Sequence, residues 1–198
     1  MASVKRVQSI YGLRIASPGG RVTSLGFTLT ELLATLAVLA ILVALAAPAL
    51  SAAFVSSKLS TLANTFLSNL YLARSEAIKR NARAAICPSA NGSACAASGG
   101  WHQGWLVFHD ANNNAALDGG EAVVQTQAAL PPEFRLTGNT PVASYISYSP
   151  SGATELVSGA FQAGTLTLCH VASTQARQIV INSTGRPRIL KTTVTSCP

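Results

Sequence analysis

Two hydrophobic patterns run in series along the first part of the chain. From Leu32 to Ser57 no Asp, Glu, Lys, Arg or His interrupts a run dominated by Leu, Ala, Val and Ile. At ~1.5 Å per helical residue, about 20 such residues cross a hydrocarbon core ~30 Å thick, so the run predicts a membrane-spanning helix. Beyond it Leu59, Leu62, Phe66, Leu70, Ala73 and Ala77 step by three or four, drawing one apolar stripe with Lys58, Asn69, Arg74 and Lys79 off it. The spacing predicts a single helix to about Asn81, apolar all round in its first half and one-sided in its second.

After Asn81 the period changes to that of strands. Arg83 to Cys87, Trp105 to His109, Ala122 to Gln127, Phe134 to Thr137, Tyr145 to Tyr148, Thr165 to Cys169, Gln178 to Asn182 and Pro187 to Val194 are short runs rich in Val, Ile, Thr or aromatics. Gly, Pro, Asn and Ser separate them, which predicts eight strands joined by turns. The expected fold class is α+β: a long N-terminal helix, transmembrane in its first half, packed on a C-terminal antiparallel β-sandwich.

One carboxylate, Glu31, stands at the head of the apolar run. An ionisable group there is costly to bury and is a functional candidate on that ground. It lies within Ser24-Leu25-Gly26-Phe27-Thr28-Leu29-Thr30-Glu31-Leu32-Leu33, which resembles the prepilin signal of type IV pilins and type II secretion pseudopilins. The resemblance implies cleavage by a prepilin peptidase between Gly26 and Phe27 and N-methylation of Phe27. It also implies a role for Glu31, as fifth residue of the mature chain, in pairing with a neighbouring subunit's N-terminal amine during assembly. Low dielectric strengthens such a pair and offsets part of the burial cost. Pro48 then falls at the mature position where pilins commonly carry a helix-loosening proline. A Sec signal peptide is the rival reading, but its apolar region is shorter and does not open beside a glutamate. The expected organisation is a leader over 1–26, a membrane and fibre-core helix over 27–82, and a β-rich domain over 83–198.

Charge refines this picture. The net charge is +7 over 198 residues, but Lys5, Arg6, Arg14 and Arg21 precede the cleavage point, leaving 10 basic against 7 acidic residues. That basic cluster before the span orients the leader toward the cytoplasm and the C-terminal domain toward the periplasm. No acid follows Glu155, whereas Arg177, Arg186, Arg188 and Lys191 fall in the last 22 residues. In an oxidising compartment Cys87, Cys95, Cys169 and Cys197 are expected to form disulfides. Three pairings are possible; Cys87 with Cys95 and Cys169 with Cys197 would close two local loops. A zinc site is disfavoured because no CxxC pair is present.

Cys87-Pro88-Ser89, Cys95, Trp101-His102-Gln103-Gly104-Trp105-Leu106-Val107-Phe108, Asp110 with its Asn-rich loop, Cys169 and Gly185-Arg186-Pro187-Arg188 together resemble the GspH/FimT family of minor pilins and pseudopilins. The terminal Gly-Arg-Pro-Arg element points to the FimT branch, which implies capture of extracellular DNA during natural transformation. Strand alternation puts Arg186 and Arg188 on one face and leaves Lys191 out of step. Pro187 favours an edge strand or loop where side chains are accessible. Two guanidiniums there could clamp phosphates, with help from Lys191 and Arg177. A solvated edge strand, whose charges only prevent aggregation, is the bland alternative.

Asp110-Ala111-Asn112-Asn113-Asn114-Ala115-Ala116-Leu117-Asp118-Gly119-Gly120-Glu121 carries oxygen side chains at the spacing of a calcium loop. Ala115 occupies the position of the turn glycine, so a loop closed by its own Asx turns is the preferred reading. Trp101 and Trp105 are expected in the core. His102, His109 and His170 are scattered, and no nucleophile-base arrangement can be assembled. The expectation is no enzyme, no cofactor and no metal. Expected partners are other pilin subunits, a prepilin peptidase, the inner membrane before assembly, and DNA. A structural tip initiator of the FimU type or a type II secretion pseudopilin, neither needing DNA, is the competing functional class.

Overall fold

The computed structural model describes residues 26–197. The leader and its basic residues Lys5, Arg6, Arg14 and Arg21, Gly26 apart, therefore lie outside the described residues. Helix α1 spans Leu29–Arg80 and continues through Pro48. Its start is capped by Thr28, whose Oγ1 accepts the Glu31 N–H at 3.2 Å while its carbonyl accepts the Leu32 N–H at 3.1 Å. Its end closes on Asn81, which adopts φ +50°, with the Ala82 N–H on the Ala77 carbonyl and the Asn81 N–H on that of Ile78. Asparagine tolerates this left-handed position, and the two bonds satisfy otherwise orphaned helix carbonyls. By length and composition α1 can cross a membrane.

Contacts divide the chain after Ala44. Up to that point the described helix residues form one unit, with Leu36, Leu39, Ile41 and Val43 exposed. From Leu45 onward, the second half of the helix and the whole β region form the other.

Eight strands follow, each beginning within three residues of its expected start: β1 Ala84–Pro88, β2 Trp105–His109, β3 Val123–Gln127, β4 Phe134–Gly138, β5 Ile146–Tyr148, β6 Gly164–His170, β7 Gln175–Ile181 and β8 Arg188–Thr193. They form two antiparallel sheets, ordered β3-β2-β1-β5 and β4-β6-β7-β8. One face of each sheet meets the helix in a single core. The helix contributes Leu59, Ala63, Phe66, Leu70, Ala73 and Ala77; the sheets contribute Ile86, Val107, Ile146, Leu166, Leu168, Ile179 and Ile181, among others. Trp101 and Trp105 pack there edge-on to Phe66, with ring centroids 5.2 and 4.9 Å away. Phe66→Ala would empty this junction at a cost of about 3 to 5 kcal/mol.

Two positions on the helix differ from the expected stripe. Ala63 is fully buried and joins the stripe beside Leu62, which packs partly buried against the same core as expected. Asn69, expected off the stripe, is buried, and its Nδ2 donates to the Thr65 carbonyl at 2.8 Å, which satisfies the amide within the helix. The second face of the β3-β2-β1-β5 sheet carries Ala85, Cys87, Leu106 and Phe108, covered by Cys95 and Leu117 from the adjoining loops. Both local disulfides are present, Cys87 to Cys95 and Cys169 to Cys197.

Candidate nucleic-acid interface

The turn between β7 and β8 is built by Asn182. Its carbonyl accepts the Gly185 N–H at 2.9 Å, and its Oδ1 accepts the Arg186 N–H at 3.0 Å and the Thr184 hydroxyl at 2.9 Å. Gly185 sits at φ +70°, and a Cβ there would collide with the Gly152 carbonyl oxygen and approach the Tyr148 ring at 3.1 Å. Glycine is thus required twice, by conformation and by space. The turn is pressed onto the loop around Gly152, and the chain leaves it through a buried Pro187.

Arg186 and Arg188 flank that proline and are both exposed. Neither makes a salt bridge among the described residues. The turn is also tied to α1: Arg74 Nη1 donates to the Gly185 carbonyl at 3.2 Å, and the Tyr71 hydroxyl donates to the Pro187 carbonyl at 3.3 Å. Burial beside the turn pushes the Tyr148 phenol far above its ordinary range, against the opposing pull of the Arg74 charge. Tyr71 and Arg74 were absent from the expected site because they lie more than a hundred residues away in sequence.

The other two expected cations are placed differently. Arg177 is 4% exposed. Its Nη2 donates to the Ser56 carbonyl and to the Ser56 and Ser60 hydroxyls, and its Nη1 donates to the Ala176 carbonyl. Its guanidinium fastens β7 to α1 and is not presented to a ligand. The cause is strand parity, since Arg177 shares its face with the core residues Ile179 and Ile181. Lys191 is exposed and lies opposite Arg177 in the β7–β8 register. Alternation sets it on the face opposite Arg188, as the sequence spacing implied.

At the other end, Phe27 and Glu31 are exposed, and the Glu31 carboxylate has no hydrogen-bond or ion-pair partner among the described residues. In the Asp110–Glu121 loop the oxygens bond the loop itself. Asp110 accepts the Asn114 and Ala115 N–H groups at 3.0 Å each, Asp118 accepts both Asn112 and Asn114 amides, and Glu121 accepts the Ala111 and Asp118 N–H groups. Ala115 takes the strained φ of +58° where a glycine would be relaxed. Burial raises the Asp110 carboxyl above its usual value, opposed by those two backbone bonds, whereas the two Asn amides hold Asp118 below its own.

The family model for the type II transport protein GspH matches residues 62–185. No curated protein matches the chain. Among solved structures, the type IV minor pilin FimU of Pseudomonas aeruginosa PAO1 is similar with a TM-score of 0.54 at 17% identity, over 72% of this chain and 97% of that one. A second crystal form of FimU gives 0.50 at 18% identity, over 71% and 100%. The minor pseudopilin EpsH of the Vibrio cholerae type II secretion system gives 0.47 at 11%, over 71% and 98%. The FimU likeness concerns the fold. The family match ends at Gly185, one residue short of the arginine pair.

Proposed function

The chain belongs to the GspH family, whose members are minor pilins and pseudopilins, and from that premise we propose that it is a minor type IV pilin that captures extracellular DNA. The supporting observation is the β7–β8 turn, where two exposed guanidiniums with no carboxylate partner among the described residues flank a buried proline on a backbone held by Asn182, Tyr71 and Arg74. Arginine forks in a fixed geometry suit phosphate oxygens and read no sequence. Each neutralised phosphate releases counterions, so binding weakens steeply with salt. Lys191 adds charge from the far face of β8, while Arg177 is left out of the contact set.

The assembly route in this proposal begins with peptidase cleavage between Gly26 and Phe27 at the inner membrane, the β-rich domain facing the periplasm. The mature helix then joins other pilin subunits in a fibre, with Glu31 meeting a neighbour's N-terminal amine. The exposed Glu31 carboxylate at the capped start of α1, without a partner among the described residues, is consistent with that pairing.

The decisive measurement is gel retardation of duplex DNA by the full chain in detergent across a salt series. Arg186→Gln with Arg188→Gln is expected to abolish retardation while leaving the melting temperature unchanged. Unchanged retardation would remove the site. The second reading, a type II secretion pseudopilin or structural tip pilin without DNA affinity, rests on the GspH family match, which covers the helix and sheets and not the arginine pair. It predicts no retardation by the parent protein even at low salt.

A further inference from the structure

We propose that the β6–β7 turn and the tail after β8 form a foot that rests on the lipid bilayer in which α1 is anchored, with Val171 entering the interface. The foot is placed by the helix it packs on. Arg177 Nη2 donates to the Ser56 hydroxyl at 2.9 Å, and two residues earlier in β7 the Gln175 amide donates to the Ala52 carbonyl at 3.5 Å. Two strand residues advance ~7 Å and four helical residues ~6 Å, so β7 climbs α1 in step with it. The turn at 171–174 precedes Gln175 and so lies beyond Ala52, on the side of Leu45. The tail is brought to the same end by the β7–β8 register, which pairs Thr193 with Gln175, by the Val194 N–H on the Thr174 carbonyl at 2.8 Å, and by the Cys169–Cys197 disulfide.

This end of the helix presents apolar side chains outward. Leu45, Leu50 and Phe54 are 72, 56 and 66% exposed. The run without a charged side chain begins at Leu32, and about 20 helical residues from there, ~30 Å or one hydrocarbon core, reach Ala52. The bilayer surface therefore falls at the level where Gln175 touches the helix. Lys58, exposed just past this level, can lay its stem along apolar surface and set its ammonium among lipid phosphates.

The foot's own composition suits an interface. Residues 171–175 and 194–197 are Val, Ala, Ser, Thr, Gln and Cys, with no charge among them. Val171 is 54% exposed, on a turn that is fixed: the His170 carbonyl accepts the Ser173 N–H and His170 Nδ1 accepts the Ala172 N–H, each at 3.1 Å. Sinking a valine held in this way into the boundary of headgroups and acyl chains removes apolar area from water at little ordering cost. Glu133 adjoins the turn, its carbonyl accepting the Val171 N–H at 2.9 Å, and a carboxylate there offers anionic lipid no attraction. The contact is apolar rather than electrostatic. Its consequence is orientation: with this end seated, the β7–β8 turn at the other end of β7 stands about 30 Å clear of the lipid, whether or not it binds DNA.

The test uses the full chain reconstituted in phosphatidylcholine vesicles, plain or brominated on the acyl chains close to the headgroup. Trp101 and Trp105 are fully buried and supply a constant background of emission. Val171→Trp is expected to add an emission that brominated lipid extinguishes. Ser151→Trp, on the loop that meets Gly185, is expected to add one that bromine leaves untouched. Ala172→Trp, at the neighbouring exposed position, repeats the reading should Val171→Trp fail to fold. Equal emission from the turn tryptophans in both kinds of vesicle would overturn the proposal, because the domain would then stand clear of the membrane. So would an emission shielded from aqueous iodide yet unaffected by bromine, which would put a second copy of the chain on the turn. Equal quenching of Ser151→Trp would show the domain lying on its side, and the foot would be lost with it.

Discussion

Arg177 donates from one nitrogen to both the carbonyl and the hydroxyl of Ser56, at 3.2 and 2.9 Å, so a buried cation on β7 is satisfied by the helix and not by a carboxylate. A charged donor lost from such a site costs about 1.5 to 3 kcal/mol, and the vacated volume adds to it. Arg177→Ala should lower the melting temperature of the full chain by several degrees while leaving DNA retardation intact. A soluble fragment starting after Ser56 should show a similar deficit. Calorimetry of both, beside a fragment starting before Ala52, checks this; equal stability of all three would contradict the role given to Ser56.

Gly185 supplies a second test. Gly185→Ala imposes a Cβ at φ +70° and drives it against the Gly152 carbonyl. The backbone penalty alone is about 1 to 3 kcal/mol, and the collision forces the turn to move. Stability and DNA binding are expected to fall together, in contrast with Arg177→Ala. Circular-dichroism melts paired with retardation assays would reveal a variant that lost neither.

The disulfides close loops of different length, with sequence separations of 8 and 28. Chain entropy makes the longer closure worth ~3.5 kcal/mol and the shorter ~2.5. Cys169→Ser with Cys197→Ser should therefore destabilise more than Cys87→Ser with Cys95→Ser. Denaturant midpoints in the reverse order would mean that the covering role of Cys95 over Leu106 and Phe108 outweighs loop length.

Asp110 gives a pH dependence of definite sign. Burial raises its folded-state pKa above the ordinary 3.8, so the folded chain holds the proton more tightly than the unfolded one. Its contribution is most favourable in acid and is lost as pH rises from near 3.8 through the raised value. The stability advantage of the parent over Asp110→Asn should accordingly shrink as pH climbs through that window. Thermal melts of the pair from acid to neutral pH would show a constant gap if Asp110 did not titrate abnormally.

Strand positions were legible because β-branched and aromatic runs stand between Gly, Pro and Asn turns, and that pattern is local. The start of β7 was not. Reading it from Gln178 left Arg177 outside the strand, and with it the parity that ties Arg177 to Ile179 and Ile181. Extending the run to Gln175 would have identified the residue as inward-facing. Tyr71 and Arg74 are a different case. Their contacts span more than a hundred residues and depend on where the helix lies across the sheet, which no local periodicity encodes.

The helix meets the β7–β8 hairpin at successive levels. Ala52 receives Gln175, Ser56 and Ser60 receive Arg177, Arg74 reaches Gly185, and Tyr71 reaches Pro187. The rise from Ala52 to Arg74 and the extended length from Gln175 to Gly185 are both about 30 Å, so helix and strand run side by side. Tension along the helix axis is then resisted in shear, with every lateral bond loaded at once. Peeling would break them one at a time. The force needed to part helix from hairpin along this axis is therefore set by the whole row.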